Sequence, residues 1–287
     1  MKEKIPSTLI TLCSIFFLTG CVTRSYYVSP MYGSSSSYRT MPLQRDSIKS
    51  ALYINSAFTI GGANQGLRDN VYSLQSNIYR AHQFSAFKAW YGAGFTLGNY
   101  NVNSIDFIRD YDYDGIDTAA INRMAGNKFF GSTNLNAGFT IVLPLGKAGE
   151  WRLLSVTGSL QNEFGDYLHF RNNLKNDSIK TSGFARSAVL ATVGFSNEIV
   201  FRTRTGAFSI HSQYTLLAGK DYKDIYHLTT PDYSTERYGY FSHTYALTVN
   251  NVTGYIQSNI GQRMFNFQTG FNYLFASRSK KAKSNTE

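Results

Sequence analysis

The sequence predicts an all-β fold, an antiparallel up-and-down barrel of about ten strands, from three observations. From about Ser50 onward, apolar and polar residues alternate with a period of two, which is the pattern of strands with one apolar face. Many of these stretches run for about 10–14 residues, whereas ordinary strands average about 5–6. The connections between the stretches are short and long in turn, as expected when successive strands turn back at opposite ends of one wall.

The strand count depends on one turn. Without a turn at Asn250-Asn251, residues 240–259 would form a single strand and the count would be odd, and eight strands remain an alternative. With ten strands, the three long connections (98–130, 166–186 and 219–239) all fall on one side. The predicted strands lie near 51–61, 70–80, 84–97, 131–143, 151–164, 187–200, 206–218, 240–249, 252–259 and 263–275.

Two architectures can hide one apolar face. A soluble sandwich packs the apolar faces of two sheets together, and a membrane barrel turns its apolar face to lipid. The strand lengths match the roughly 9–11 tilted residues that cross a bilayer. The polar face is mostly Gly, Ala, Ser, Thr, Asn and Gln, which suits a narrow, filled interior. We therefore favour a barrel of the outer-membrane type, with the soluble sandwich as the alternative.

The first residues predict export. A weakly positive start precedes an apolar run at 9–18, too short for a stable membrane anchor, as in a secretory signal. The segment Leu18-Thr19-Gly20-Cys21 resembles the lipobox of bacterial lipoproteins. This resemblance implies cleavage before Cys21 and acylation of Cys21, and Val22 after it implies sorting to the outer membrane. The alternatives are an ordinary signal with a chance cysteine and a buried amino-terminal helix.

The chain contains two cysteines, Cys13 and Cys21. Cys13 would leave with the signal and Cys21 would carry the lipid, so we expect a mature chain without a disulfide or a cysteine-based zinc site. Several acyl chains would give firm membrane attachment, since one chain alone binds only marginally.

Residues after the signal are rich in Ser, Gly and Pro and predict a flexible linker, with a short strand at the Tyr-rich part as the alternative. Ten strands leave both ends of the barrel on the short-turn side, where we expect the lipid on Cys21 to enter the inner leaflet. The predicted organisation is a cleaved signal at 1–20, a lipidated cysteine and linker at 21–49, a barrel at 50–276 and a basic tail at 277–287.

The last strand carries a second resemblance. Residues 268–275, Gln-Thr-Gly-Phe-Asn-Tyr-Leu-Phe, are similar to the β-signal of outer-membrane barrels, which implies recognition by the barrel-assembly machinery. The chain departs from that pattern because twelve residues follow Phe275.

One loop motif points to a metal. The carboxylates of Asp110, Asp112, Asp114 and Asp117 fit the opening of a D-x-[DN]-x-[DN]-G calcium loop, because alternate side chains supply hard oxygen ligands. The twelfth position should be Glu and is Ile121. A calcium clamp on an external loop is the sharper hypothesis, and an acidic, Tyr-rich surface loop is the plainer interpretation.

The sequence does not predict catalysis. The pairs His211-Ser212 and Ser242-His243 are neighbours on strands and therefore point to opposite faces, and no G-x-S-x-G motif occurs. On the inward face, Lys88, Glu163 and Glu198 predict ion pairs in a packed interior, or else a charged constriction of a narrow pore.

We thus predict a lipid-anchored outer-membrane β-barrel with a structural or interaction role in the cell envelope. A narrow channel or small-solute transporter, and an outer-membrane enzyme acting on lipid or peptide, are the alternatives. Expected partners are outer-membrane lipid and the barrel-assembly and lipoprotein-sorting machinery, with an envelope protein as a further candidate. The formal charge of +10 fits lipid phosphates better than nucleic acid, which we do not expect as a partner. No cofactor other than calcium is expected.

Overall fold

The computed structural model of the chain describes residues 26–43, 48–63, 69–104, 122–174, 183–218, 239–261 and 264–279. These residues form twelve strands and a helix, α1 (Asp166–Asn173), and residues 122–124 are also helical. Within the described ranges, no helix has the length and apolarity to cross a bilayer. The strands are β1 (Tyr26–Tyr27), β2 (Ile48–Ala63), β3 (Asp69–Gln83), β4 (Phe87–Val102), β5 (Gly126–Pro144), β6 (Gly149–Phe164), β7 (Gly183–Phe184), β8 (Val189–Arg202), β9 (Gly206–Ala218), β10 (Gly239–Val249), β11 (Val252–Gly261) and β12 (Met264–Ser279).

Ten of the strands close into one antiparallel barrel, in the order β10-β11-β12-β2-β3-β4-β5-β6-β8-β9. The first and last strands of the barrel, β2 and β12, pair with each other, with Ser56 opposite Phe271. The remaining two strands, β1 and β7, form a separate parallel pair. The predicted up-and-down barrel is therefore confirmed at ten strands. Because the wall is closed and single-layered, the soluble sandwich is wrong.

The turn that decided the count is present. Val249 and Val252 face each other as the last pair of β10 and β11, and Asn250 between them has a φ of 53°. Asn tolerates this left-handed conformation better than most residues do. The turn at 250–251 and the short links at 84–86, 145–148 and 203–205 lie at the same end of the barrel, here called the turn end. The three long connections leave the opposite end, here called the loop end.

The outer surface of the wall is apolar along the full length of the strands. Leu135 near the middle of β5 is 64% exposed, and Phe275 near the turn end is 65% exposed. An apolar patch of this extent would cluster in water, so this is the surface of a barrel embedded in a bilayer. Further exposed members are Phe58, Leu74, Ile78, Phe95, Leu160, Phe195, Leu247, Ile256, Ile260, Phe267 and Phe271.

The inner surface is polar and buried. Successive residues of a strand point to opposite faces, so the residues that precede and follow each exposed apolar residue along the strand face inward. They are mainly amides and hydroxyls, including Asn55, Thr59, Gln75, Thr96, Ser132, Gln161, Thr215, Thr244, Asn259, Gln268 and Asn272. A polar lumen of this kind needs hydrogen-bond partners, since burying amides without partners is costly.

Residues 26–43 supply many of these partners, because they run inside the barrel. Tyr27, Met31 and Tyr38 on this segment are all buried. The prediction of a flexible linker over 21–49 is therefore wrong for these residues. Their Ser, Gly and Pro content is typical of a mobile linker in water, but here the tyrosines pack and the serines hydrogen-bond within a closed wall. At the carboxyl-terminal boundary of the barrel domain, β12 extends to Ser279, three residues beyond the predicted boundary.

Candidate functional site

The barrel lumen is the candidate functional site, and residues 27–43, here called the lumen segment, occupy it. The segment begins at the loop end, where Tyr26 and Tyr27 pair with residues 183 and 184 of β7. The amide of Ala185 donates to the Tyr27 carbonyl at 3.1 Å. The Tyr27 ring packs edge-on against Phe170 of α1, with centroids 5.1 Å apart. These contacts fix the start of the segment at the loop end.

An aromatic cluster surrounds this entry point. The rings of Tyr100 on β4 and Tyr167 on α1 stack with centroids 4.0 Å apart. Tyr100 also donates a hydrogen bond to Asp69 at 2.9 Å, which ties β4 to the start of β3. Burial raises the pKa of the Tyr167 phenol well above its ordinary value, so this hydroxyl stays neutral. The cluster therefore closes the loop end with packed, uncharged rings.

A tight turn follows at residues 30–34, and Gly33 adopts a φ of +83° within it. A side chain is disfavoured in this backbone conformation, and a Cβ at this position would overlap Met264 of β12. The turn also brings Tyr32 and Ser35 to the start of β10. Tyr32 donates to the Gly239 carbonyl at 3.0 Å, and the hydroxyls of Ser35 and Tyr240 lie 2.7 Å apart.

The middle of the lumen segment is held by amides from several strands. Gln257 of β11 donates to the Ser36 carbonyl at 3.0 Å, and Gln213 of β9 donates to the Ser36 hydroxyl at 3.0 Å. Asn55 of β2 accepts from Ser37 at 3.0 Å. These three strands belong to one half of the barrel, and from the other half Gln161 of β6 donates to the Ser35 carbonyl at 3.2 Å. The segment is therefore hydrogen-bonded from both halves of the wall.

The lower part contacts the wall through backbone carbonyls and one tyrosine. Tyr38 donates to Glu198 of β8 at 2.7 Å. Tyr79 of β3 donates to the Thr40 carbonyl, and Arg152 of β6 donates to the Met41 carbonyl, at 2.9 and 3.0 Å. The segment thus leaves the lumen at the turn end, close to the start of β2.

Four buried charges form a network beside this exit. Glu150 pairs with Lys88, and Arg152 bridges Glu150 and Glu198 at 2.8 and 2.7 Å. Two cations thus balance two carboxylates, as buried charges require. The prediction that Lys88 and Glu198 form internal ion pairs is confirmed.

The sequence pattern did not reveal Glu150 and Arg152. Glu150 lies in what was predicted as a link, and Arg152 lies between Trp151 and Leu153, which share no face with it. A register shift between Arg152 and Ser155 places both Leu153 and Leu154 outside. The two consecutive leucines of the sequence were the signal of this bulge, since strict alternation cannot accommodate them.

The third predicted lumen charge, Glu163, pairs with Arg171 of α1 at the loop end. This ion pair joins the end of β6 to the helix in the long connection that follows. The helix packs at the loop end with Tyr167 and Phe170 buried. Glu163 therefore anchors a cap on the lumen rather than lining a pore.

Little space remains inside the described residues. Beside Ser36 and Arg39, a cavity of about 30 Å³ extends toward Glu198 and His211. Its polar lining and size suit a few water molecules. A second cavity of about 460 Å³ opens at the turn end, around Met41, Arg202 and Arg204. Among the described residues, the lumen segment thus narrows the middle of the lumen, and a vestibule opens at the turn end.

One polar pair lies on the lipid-facing surface. The hydroxyl of Ser212 on β9 is 2.9 Å from Nδ1 of His243 on β10, and Asn197 on β8 pairs with Ser212 in register. Sequence reasoning missed this pair because it compared neighbours along one strand, whereas cross-strand partners share a face. A nucleophile and a base are thus adjacent, but an acid to orient the base is missing from the described contacts of His243.

The remaining predicted sites lie outside the described residues. Cys21 and the four aspartates Asp110, Asp112, Asp114 and Asp117 fall in that part of the chain, so lipidation and calcium binding stay predictions. Within the ranges that are described, no group of three or more His, Cys, Asp or Glu side chains could hold a metal ion.

Neither the family models nor the curated proteins contain a match to this chain. Among solved structures, the translocator domain of the autotransporter NalP from Neisseria meningitidis aligns with a TM-score of 0.41 and 12% identity, over 81% of this chain and 91% of that one. The β domain of the Bordetella autotransporter BrkA aligns with a TM-score of 0.36 and 11% identity, over 79% of this chain and 100% of that one. The KdgM porin aligns with a TM-score of 0.30 and 10% identity, over 78% of this chain and 99% of that one. These scores are too low to assign a function.

Proposed function

We propose that the protein is a lipid-anchored outer-membrane barrel with a non-catalytic role in the cell envelope, plugged by its own amino-terminal segment. In this role the barrel serves as a rigid mount that presents its long connections outside the cell. Among bacterial barrels, short turns face the periplasm and long loops face outward, which supports this orientation.

The observation that carries the proposal is the filled lumen. Hydrogen bonds join the lumen segment to β2, β3, β6, β8, β9 and β11, among them those of Asn55, Tyr79, Arg152, Gln213 and Gln257. The cavity beside Ser36 and Arg39 in the middle of the lumen, about 30 Å³ among the described residues, is too small for a hydrated solute. A transporter needs a continuous path through the barrel. Here such a path would exist only after the lumen segment had left the lumen.

The absence of catalysis is part of this proposal. The lipid-facing Ser212 and His243 are the best candidates for the alternative of an envelope enzyme. They lie on the apolar outer face, between the cross-strand pairs Ile210–Tyr245 and Tyr214–Phe241, without a charged partner among their described contacts. A catalytic serine also needs donors that stabilise the developing oxyanion, and backbone amides in a strand are already paired in the wall.

Planar-bilayer recording of the full-length protein tests the plug. We expect no stable conductance from the purified wild-type protein, because the lumen is occupied. The matched variant is Gln213→Ala/Gln257→Ala, which removes two amide donors to Ser36 while leaving the lipid-facing surface unchanged. We expect this variant to show intermittent openings.

A steady open channel in the wild type would contradict the plug and favour the channel alternative. Folding of both proteins is checked by gel migration with and without boiling, since a closed barrel migrates differently before boiling. Outer-membrane location is checked separately by density fractionation of cell envelopes, with recovery in the inner membrane as the contrary outcome.

A further inference from the structure

The direction of the lumen segment is opposite to what the strand order alone predicts. The barrel begins at Ile48 and ends at Ser279, both at the turn end. Counting strands therefore places the preceding residues at the turn end too. In the structure, Tyr26 pairs with residue 183 of β7 at the loop end, and the chain then descends to Met41 near Arg152.

We propose that the chain amino-terminal to Tyr26 emerges on the outer face of the membrane, so that the acyl chains on Cys21 insert into the outer leaflet. This proposal rests on the lipoprotein and outer-membrane assignments of the proposed function. It replaces the expectation of an inner-leaflet anchor, and it makes the amino terminus a surface-displayed feature.

Chain length decides which leaflet the lipid can reach. Cys21 precedes Tyr26 by five residues, and five fully extended residues span at most about 18 Å. The hydrocarbon core of a bilayer is about 30 Å thick. From the loop end, a lipid on Cys21 can therefore reach the near leaflet only.

A return through the barrel is blocked. The lumen segment already fills the interior, and about 30 Å³ remains beside it in the middle of the lumen. A path outside the wall would expose backbone amides to hydrocarbon, where they would find no hydrogen-bond partners. Inner-leaflet anchoring would therefore require the whole segment to leave the lumen.

Leaving would break contacts along the full height of the barrel. At the loop end the segment would lose the strand pair with β7 and the packing of Tyr27 on Phe170. In the middle it would lose the bonds of Ser36 to Gln213 and Gln257. The buried amides and carboxylates of the wall would then need water to replace these partners.

Cysteine labelling of intact cells tests the inference, because the two native cysteines are Cys13 and Cys21, and acylation blocks the second. The reporter is Ser25→Cys in the full-length chain. Asn173→Cys, exposed at the end of α1, marks the loop end, and Lys147→Cys, exposed in a short turn, marks the turn end. The probe is a membrane-impermeant polyethylene-glycol maleimide, read as a gel shift before and after permeabilising the outer membrane.

We expect Ser25→Cys to be labelled in intact cells to at least nine-tenths of the Asn173→Cys level, while Lys147→Cys is labelled only after permeabilisation. Labelling of Ser25→Cys only after permeabilisation, with Asn173→Cys reactive throughout, would overturn the inference and leave the outer-membrane assignment standing. If Asn173→Cys also requires permeabilisation, the proposed orientation fails, and this inference fails with it.

Two further measurements complete the test. Mass spectrometry of the amino-terminal peptide is expected to show acylation of Cys21, and an unmodified thiol there would overturn the leaflet assignment. Ser35→Cys, buried in the lumen against Tyr240, is expected to stay unlabelled until the protein is denatured. Rapid labelling of Ser35→Cys in a folded, heat-modifiable barrel would show an empty lumen and overturn the inference.

Discussion

Replacing Arg152 by Met should strongly destabilise the barrel, because it breaks the buried charge network. The Arg152 guanidinium bridges Glu150 and Glu198 at 2.8 and 2.7 Å and donates to the Met41 carbonyl at 3.0 Å. It is 1% exposed, so water cannot take its place without rearrangement. Met preserves much of the side-chain volume and removes the charge and all three hydrogen bonds.

The size of the effect follows from the charge balance. In the wild type, Lys88 and Arg152 neutralise Glu150 and Glu198, whereas the Arg152→Met variant leaves two carboxylates and one cation in a buried site. Removing one partner of a buried pair typically costs about 3–5 kcal/mol, chiefly because the other charge loses its compensation. We expect a decrease of this order in the free energy of unfolding.

Urea unfolding in lipid vesicles, followed by tryptophan fluorescence and by gel migration, measures this decrease. The matched control is the double variant Arg152→Met/Glu198→Gln, in which one cation again faces one carboxylate. We expect the double variant to recover at least half of the lost stability. If the single variant unfolds at the wild-type urea concentration, or the double variant is the less stable of the two, the assignment of a balanced buried network is wrong.

Three further predictions concern other parts of the molecule. Gly33→Val should displace the lumen segment, because a Cβ at this position would overlap Met264 and the φ of Gly33 is +83°. The displacement should be measurable as new conductance and faster proteolysis. The control Gly158→Val, where an added Cβ has no atom within 4 Å, should behave as wild type. Leu135→Arg should lower the free energy of unfolding in vesicles by about 2–4 kcal/mol, because the residue faces lipid near the bilayer centre. Thr203→Arg, in a turn, is the neutral control, and equal stability of the two variants would contradict the lipid-facing assignment. Phospholipid hydrolysis should be at background in the wild type, in His243→Ala and in the His82→Ala control. Hydrolysis by the wild type that His243→Ala abolishes and His82→Ala does not would favour the enzyme alternative.

The wall of the barrel was predictable because its signal is local. Each strand repeats one apolar and one polar position, so segments such as 133–143 indicate their own conformation and their two faces. The Asn250-Asn251 turn was also readable, since Asn accepts the positive φ that the turn requires. Lys88, Glu163 and Glu198 were correctly placed inside because they occupy the polar face of such strands.

The features that define the candidate site were less accessible. Glu150 and Arg152 were hidden by the bulge at Leu153 and Leu154, which breaks the alternation that sequence reasoning follows. The contact between Ser212 and His243 depends on the register between two strands, which no single strand encodes. Residues 27–43 show no period at all, because a chain inside a lumen is surrounded by the wall on every side and has no single buried face.

The sequence by itself predicted a barrel of about ten strands with an apolar outside and a polar inside, because these follow from the alternation of residues along each strand, and the closed wall of the structure set the count at ten. It also predicts the lipobox at Cys21, which remains to be tested. Only the tertiary structure decided that the linker is a plug and that it runs from the loop end to the turn end. Those facts depend on contacts between residues far apart in the chain, such as Ser35 with Tyr240 and Tyr38 with Glu198, and such contacts exist only after the wall has closed.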